Sequence, residues 1–147
     1  MVLFNLLLEY TANQAMLRIG KLTDYAIMVM VELSGSRGQV ISAQALAERC
    51  GLELPTVSKI LKGLARAELL VSHRGVKGGY SLAREPGRID VGQIIRAIEG
   101  PIAITECLDD EGPDCNIQRS CPVRAIWQRI NEAVRDALHS VPLTDMI

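Results

Sequence analysis

The most constraining feature of this sequence is a helix–turn–helix pattern between residues 43 and 67. Four residues stand at relative positions 0, 4, 10 and 13: Ala47, Gly51, Val57 and Ile60. A small first residue lets two helices approach closely, and a glycine at the second position permits a left-handed turn between them. The pattern predicts one helix from Ala43 to Cys50, capped by Ser42, and a second from Pro55 to Ala67.

The second of these helices has one apolar side and one polar, basic side. The apolar side predicts a buried stripe of Val57, Ile60, Leu61 and Leu64, which leaves Thr56, Ser58, Lys59, Lys62 and Arg66 facing outward. A short polar and basic face near a helix N-terminus suits the major groove of DNA. The same pattern also occurs in ordinary helical hairpins whose outer face is solvated.

The stretch that follows favours DNA binding over an ordinary hairpin. Residues 69–73 and 80–82 predict two short strands, joined by the glycine-rich basic tip Arg74-Gly75-Val76-Lys77-Gly78-Gly79. A hairpin directly after a recognition helix is the wing of a winged helix, and its glycines and cations can lie close to phosphates. The candidate DNA-binding residues are Ser42, Pro55, Thr56, Ser58, Lys59, Lys62, Arg74, Lys77, Gly78, Gly79 and Tyr80.

Charge is divided between the two halves of the chain. Residues 18–88 contain 11 Lys/Arg and 6 Asp/Glu, a net charge of +5, whereas residues 89–147 contain 5 and 10, a net charge of −5. The basic half supports a nucleic-acid partner. The apolar run within residues 1–15 has no preceding basic residue and is far short of the ~20 residues that span a bilayer. We expect a flexible extension there, no membrane partner, and a reducing, cytoplasmic location with free thiols.

Helices are also predicted before the helix–turn–helix and after the wing. Apolar residues recur at helical spacing from Leu22 to Leu33, and Asp90 is the expected cap of a helix that ends at Glu99. Pro122 is expected to open a final helix, whose apolar stripe consists of Val123, Ile126, Trp127, Ile130, Val134, Ala137, Leu138 and Val141. A stripe of this length after a complete winged helix predicts a seam between two chains.

Three cysteines lie on a short acidic loop before that final helix. Cys107, Cys115 and Cys121 are separated by seven and then five residues, and Gly112-Pro113-Asp114 predicts a turn between them. Three thiols on such a loop are a candidate soft-metal or iron–sulfur site. Zinc is also consistent with thiolate ligands, although Cys₃His and Cys₄ are its more usual sets. The residues suggest no nucleophile–base pair, so we expect no enzymatic activity.

Several segments together resemble a known family, the Rrf-type bacterial regulators, which include the IscR and NsrR proteins. The similar segments are Leu22-Thr23-Asp24-Tyr25-Ala26, residues 51–59 and the wing residues Gly78-Gly79-Tyr80. The segments Glu99-Gly100-Pro101, Thr105-Glu106-Cys107 and residues 127–131 are similar to the branch that regulates SUF iron–sulfur assembly genes. The resemblance covers residues 16 to about 144.

The resemblance implies a homodimeric transcription factor that binds an iron–sulfur cluster through Cys107, Cys115 and Cys121. IscR-type members carry a histidine ligand three residues after the last cysteine, but this chain has Arg124 there, which cannot ligate iron. NsrR-type members use an aspartate from the other chain, which corresponds to Asp24 and makes it the candidate fourth ligand. The cysteine spacing departs from the IscR type, so both 2Fe–2S and 4Fe–4S clusters stay open.

These observations together predict a mostly α fold with a small β wing. Residues 16–88 form the expected winged helix-turn-helix domain, and residues 89–147 form a linker helix, a cluster-binding loop at 105–121 and a dimerisation helix. The expected function is a cluster-sensing regulator that binds double-stranded operator DNA and represses SUF genes. Alternatives are a nitric-oxide- or redox-sensing member of the same family, or a zinc- or thiol-responsive winged-helix regulator.

Overall fold

The computed structural model describes residues 17–36, 38–109, 111 and 115–147. The predicted extension at 1–15 and the predicted turn at 112–114 lie outside the described residues. The elements, in chain order, are α1 Lys21–Gly35, α2 Ala43–Cys50, α3 Leu54–Arg66, β1 Leu70–His73, β2 Gly79–Leu82, α4 Val91–Glu99 and α5 Arg124–His139. Short 3₁₀ turns occupy Pro86–Arg88, Glu106–Leu108 and Leu143–Met146.

The helix–turn–helix forms where the sequence predicts it. The Ser42 hydroxyl accepts a hydrogen bond from the Ala45 backbone N–H at 3.1 Å and thereby caps α2. Gly51 ends α2 in the left-handed region, with φ 66° and ψ 32°, a conformation that costs glycine little. The second helix begins and ends one residue earlier than predicted because Glu53 is its N-cap, which places Leu54 before Pro55 in the first turn.

The wing is a two-stranded antiparallel sheet with Leu70 opposite Leu82 and His73 opposite Gly79. It is fastened to the chain segment before α2 by two backbone bonds. Ile41 N–H donates to the Tyr80 carbonyl at 2.9 Å, and Tyr80 N–H donates to the Ile41 carbonyl at 2.8 Å. At Gly79 a side chain would overlap the Ile41 carbonyl oxygen, so only glycine allows this close approach.

Aliphatic side chains build the core, as the scarcity of aromatic residues requires. Met30 and Leu33 of α1, Leu46 of α2, and Ile60 and Leu61 of α3 are all at most 1% exposed. The same cluster includes Ile89, Ile94 and Leu143, so α4 and the last 3₁₀ turn pack on the winged region. None of the helices in the described part of the chain combines the length and apolarity that crossing a bilayer needs.

The final helix differs from its predicted bounds at both ends. It begins at Arg124 rather than Pro122, because the chain makes a turn first and Val123 has the non-helical ψ of 1°. It ends at His139, so Val141 lies outside it. A residue before proline is pushed from the α region toward extended conformations, and Val141 precedes Pro142. The Val141 carbonyl instead accepts from Val91 N–H at 3.0 Å, which ties the chain after α5 to the start of α4.

Candidate DNA interface and cysteine loop

The outward face of α3 is free to contact a partner. Its apolar side is fully buried, which fixes the rotation of the helix on α2. On the opposite side Pro55, Lys59 and Lys62 are exposed, whereas Thr56 and Ser58 are half-buried. Two cations and two hydroxyls near the first turns of an exposed helix can contact phosphates and base edges.

The wing and the start of α2 form a second part of this surface. The Ile41–Tyr80 bonds bring Ser42, Gly79 and Tyr80 together, with the Gly79 backbone passing directly beside the Ser42 backbone nitrogen. Arg74 and Lys77 at the tip are exposed. At Gly78 a side chain would overlap the His73 carbonyl oxygen, which makes glycine necessary for the tip to close.

One exposed residue of the wing tip was not among the candidate DNA-binding residues. Val76 lies between the two cations and is fully exposed, with a relative accessibility of 107%. An apolar side chain at the end of a wing is suited to contact with sugars or groove walls. Its only sequence signal was its place inside the basic, glycine-rich tip.

The three loop cysteines are free thiols, and each is half-buried. Cys107 lies in a 3₁₀ turn, and its sulfur is 3.3 Å from the Thr105 hydroxyl oxygen. The Cys115 carbonyl accepts from Gln118 N–H at 3.0 Å, so the loop runs as turns toward Cys121. Among the described residues of a single chain, no three histidine, cysteine or acidic side chains converge on one point. The loop therefore carries ligands of the right kind but does not bring them together.

A buried side-chain nitrogen just after the loop bears on what these thiols bind. The Nε of Arg124 is buried, and within the described part of the chain it has no hydrogen-bond partner. Its residue is linked to the loop by a bond from Arg124 N–H to the Cys121 carbonyl at 3.5 Å. An unpartnered buried donor is costly, and thiolates or inorganic sulfide would be suitable acceptors. In donor type, three thiols and this cation therefore fit an anionic iron–sulfur centre.

Asp24, the candidate fourth ligand, is exposed in the first turn of α1. It does not join the loop cysteines in a metal-binding group within the described single chain. Its neighbour Thr23 is fully buried and donates its hydroxyl to Glu99 Oε1 at 2.6 Å. Asp24 is thus held at the surface by a buried neighbour, in a position open to another chain.

Two further residues were missed because their partners are distant in the sequence. Glu99 accepts from Gly20 N–H at 2.9 Å as well as from Thr23, and so joins the end of α4 to the start of α1. Asn131 of α5 is 6% exposed and bonds to the backbone at Ile102 and Ile104. The sequence offered one signal for Asn131, a polar residue bordering the apolar stripe of α5.

Comparison with known proteins assigns the chain to a family. The sequence model described as "Rrf2: Iron-dependent Transcriptional regulator" matches residues 19–147. The chain belongs to the Rrf2 family. It is 36% identical over 123 residues to the HTH-type transcriptional regulator CymR of Bacillus subtilis, covering 83% of each protein. It is 31% identical over 125 residues to the HTH-type transcriptional regulator IscR of Xenorhabdus nematophila, covering 84% of this chain and 74% of IscR.

Solved Rrf2-related structures share the fold. The structure of CymR, described as the global cysteine regulator of B. subtilis, has a TM-score of 0.67 at 35% identity and covers 88% of this chain and 95% of CymR. The structure of T. potens IscR has a TM-score of 0.62 at 32% identity and covers 88% and 85% of the two chains. The predicted winged-helix fold and family are confirmed, and the chain is a transcriptional regulator rather than an enzyme.

Proposed function

We propose that this chain is a homodimeric, cytoplasmic repressor that senses an iron–sulfur cluster and controls SUF genes. The observation that carries the proposal is the set of three free, half-buried thiols on the same chain as a winged helix, followed by Arg124, whose buried Nε has no partner among the described residues. The family description as iron-dependent supports a metal as the signal. The similarity to IscR supports the same class of regulator.

DNA binding is assigned to the exposed face of α3 and to the wing. Lys59 and Lys62 on the helix and Arg74 and Lys77 on the wing are exposed and contact phosphates in this proposal. The hydroxyls of Thr56 and Ser58 lie between the buried and exposed sides of α3 and are placed toward base edges. The surface is completed by residues that set the backbone at the start of α2, the start of α3 and the wing: Ser42, Pro55 and Gly78–Tyr80.

Dimerisation is assigned to α5. Ile126, Trp127 and Ile130 are 56%, 39% and 41% exposed in the single chain, and they follow one another along one side of the helix. Three large apolar side chains on one exposed stripe mark a protein–protein interface. A twofold pair of chains suits DNA recognition, since two recognition helices about 34 Å apart meet successive major-groove faces.

Cys107, Cys115, Cys121 and Asp24 of the second chain are the residues that would hold the cluster. When bound, the cluster supplies a link between these groups that oxidants, nitric oxide or iron shortage remove. The thiols must lose their protons to ligate, and the polar loop is ordered by ligation rather than by a core of its own. Arg124 Nε is the donor that would pair with the anionic sulfurs and offset their charge.

The test is anaerobic purification with iron and sulfide analysis, followed by titration of SUF promoter DNA before and after chelation of the iron. The expected result is coloured, iron-containing protein whose promoter affinity changes by at least tenfold on iron removal, a coupling of about 1.4 kcal/mol. Cys115→Ala should lose the iron yet remain a folded dimer, because the core lies elsewhere. Asp24→Ala should retain a cluster that decays faster in air, and Glu53→Ala, an acidic surface control, should not. Colourless, iron-free wild type overturns the proposal.

A thiol-, zinc- or nitric-oxide-responsive regulator is the second candidate function. Its thiol-responsive form is favoured by the similarity to the cysteine regulator CymR and by the lack of convergence of three donors among the described residues, since a zinc site would also need converging donors. Zinc binding would give colourless protein with a stoichiometric metal content. A thiol switch would give metal-free protein whose promoter affinity changes with peroxide and recovers with dithiothreitol. Nitric oxide would act on the coloured protein and bleach it.

A further inference from the structure

The chain between α4 and the cysteine loop is fastened to two distant helices. We call residues 99–107 the connecting segment. At its start, Glu99 Oε1 accepts from the Thr23 hydroxyl at 2.6 Å and from Gly20 N–H at 2.9 Å. Gly20 is the N-cap residue of α1, so the Glu99 carboxylate at the start of the segment binds the N-terminal end of the helix that carries Asp24.

Asn131 fastens the middle of the connecting segment to α5. Its Nδ2 donates to the Ile102 carbonyl at 3.1 Å, and its Oδ1 accepts from Ile104 N–H at 3.0 Å. This pairing fixes the amide orientation, since a flipped amide would set donor against donor and acceptor against acceptor. Asn131 is also the one buried residue among the sixteen of α5, all of which the structure describes. Burial of a polar side chain in a helix whose other residues are exposed or half-buried requires a specific partner, which the segment backbone provides.

The end of the connecting segment is the first candidate ligand. Cys107 lies three residues after Ile104, within a turn closed by Leu108 N–H donating to the Thr105 carbonyl at 3.1 Å. The Thr105 hydroxyl contacts the Cys107 sulfur at 3.3 Å. Between Glu99 and Cys107 the segment is therefore fastened to α1 at its start and to α5 in its middle, and a local turn shapes its end.

We propose that Asn131 is the positioning residue that makes the connecting segment transmit the state of Cys107 to α1. The part of this inference that concerns sensing rests on the proposed function. Because both amide atoms of Asn131 are paired, the segment cannot shift on α5 without breaking hydrogen bonds of the partly buried backbone and of the buried amide. A displacement of Cys107 must then move α5 and the Glu99 cap together. Without the amide, the segment between Glu99 and Cys107 can deform and absorb the displacement locally.

The first test uses metal-free protein and amide hydrogen exchange. Asn131→Ala removes the acceptor of the Ile104 N–H, so exchange at Ile104 should accelerate at least tenfold, while far-ultraviolet circular dichroism stays that of the wild type. Gln128→Ala, an exposed change on the same helix, is the matched control and should leave exchange at Ile104 unchanged. Unchanged exchange at Ile104 in Asn131→Ala would overturn the proposal.

The second test measures coupling. The ratio of promoter affinities with and without the cluster should fall toward one in Asn131→Ala, while the metal-free affinity stays within about twofold of wild type. A ratio equal to that of the wild type refutes the role of Asn131. If Asn131→Ala does not fold, Thr23→Val is the second variant, because it removes the hydroxyl donor to Glu99. It should lower the ratio of promoter affinities without changing hydrogen exchange at Ile104. An iron-free wild type would end the proposed function, whereas the exchange test would still decide the role of the amide.

Discussion

Replacing Gly79 by alanine should detach the wing from the helix–turn–helix. The added carbon would overlap the Ile41 carbonyl oxygen and lie 2.8 Å from the Ser42 backbone nitrogen. These are backbone atoms that cannot rotate away, so β2 must move. The two bonds between Ile41 and Tyr80 would then be lost. At about 0.5–1.5 kcal/mol for each bond, the free energy of unfolding should fall by about 1–3 kcal/mol.

Urea denaturation followed by circular dichroism measures this loss. With a slope of about 2 kcal/mol per molar urea, a loss of about 2 kcal/mol lowers the midpoint by about 1 M. Gly35→Ala is the matched control, because a side chain at Gly35 meets no atom of the described residues within 4 Å. Its midpoint should stay at or slightly above that of the wild type, since alanine is the better helix former. The reasoning fails if Gly79→Ala unfolds at the wild-type midpoint or if Gly35→Ala loses as much.

Three further outcomes are expected. Lys59→Ala should flatten the slope of log affinity against log salt by about 0.9, the value for one phosphate contact, in promoter titrations; an unchanged slope would remove Lys59 from the interface. Ile130→Glu should give monomer by light scattering, whereas Gln128→Glu, on the other side of α5, stays dimeric. Burial, and then the charge of Glu32, raise the pKa of the Cys50 thiol. In a variant with serine at the three loop cysteines, the alkylation rate of Cys50 should therefore rise at a higher pH than that of a free thiol. Glu32→Gln should move this pH profile toward lower pH. An unmoved profile contradicts that assignment.

The DNA reader was predictable because its determinants are local. The positions of Ala47, Gly51, Val57 and Ile60 specify a turn and two helices within a span of fourteen residues. The caps at Ser42 and Asp90 were likewise readable, and both form, with Asp90 and Gln93 making a capping box. The errors in the predicted helix bounds fall at helix ends where a proline does not occupy the first helical position, its most common place. Pro55 is the second residue of its helix rather than the first, and Pro122 precedes its helix altogether.

The hydrogen bonds that fasten the connecting segment before the cysteine loop were not predictable, because they join residues far apart in the sequence. Glu99 meets Thr23 across 76 positions, and Asn131 meets Ile102 across 29. Neither pair belongs to a periodic pattern, and each depends on packing that only the complete fold creates. The sequence likewise identified three cysteines as one candidate site but could not place them. A short acidic loop has too few apolar side chains to set its own shape.

The division of charge favours, in the proposed function, a route from the loop to DNA through contacts inside the protein. The reader half carries a net charge of +5, and the half with the cysteines carries −5. An acidic loop is repelled by the phosphate backbone, which disfavours a place for it on the DNA face that we propose at Lys59 and Lys77. In the proposed function its influence would pass through elements that touch both halves. The bonds of Glu99 to the start of α1 and of Asn131 to the connecting segment are such contacts, and they join the loop to the first helix of the reader without exposing it to DNA.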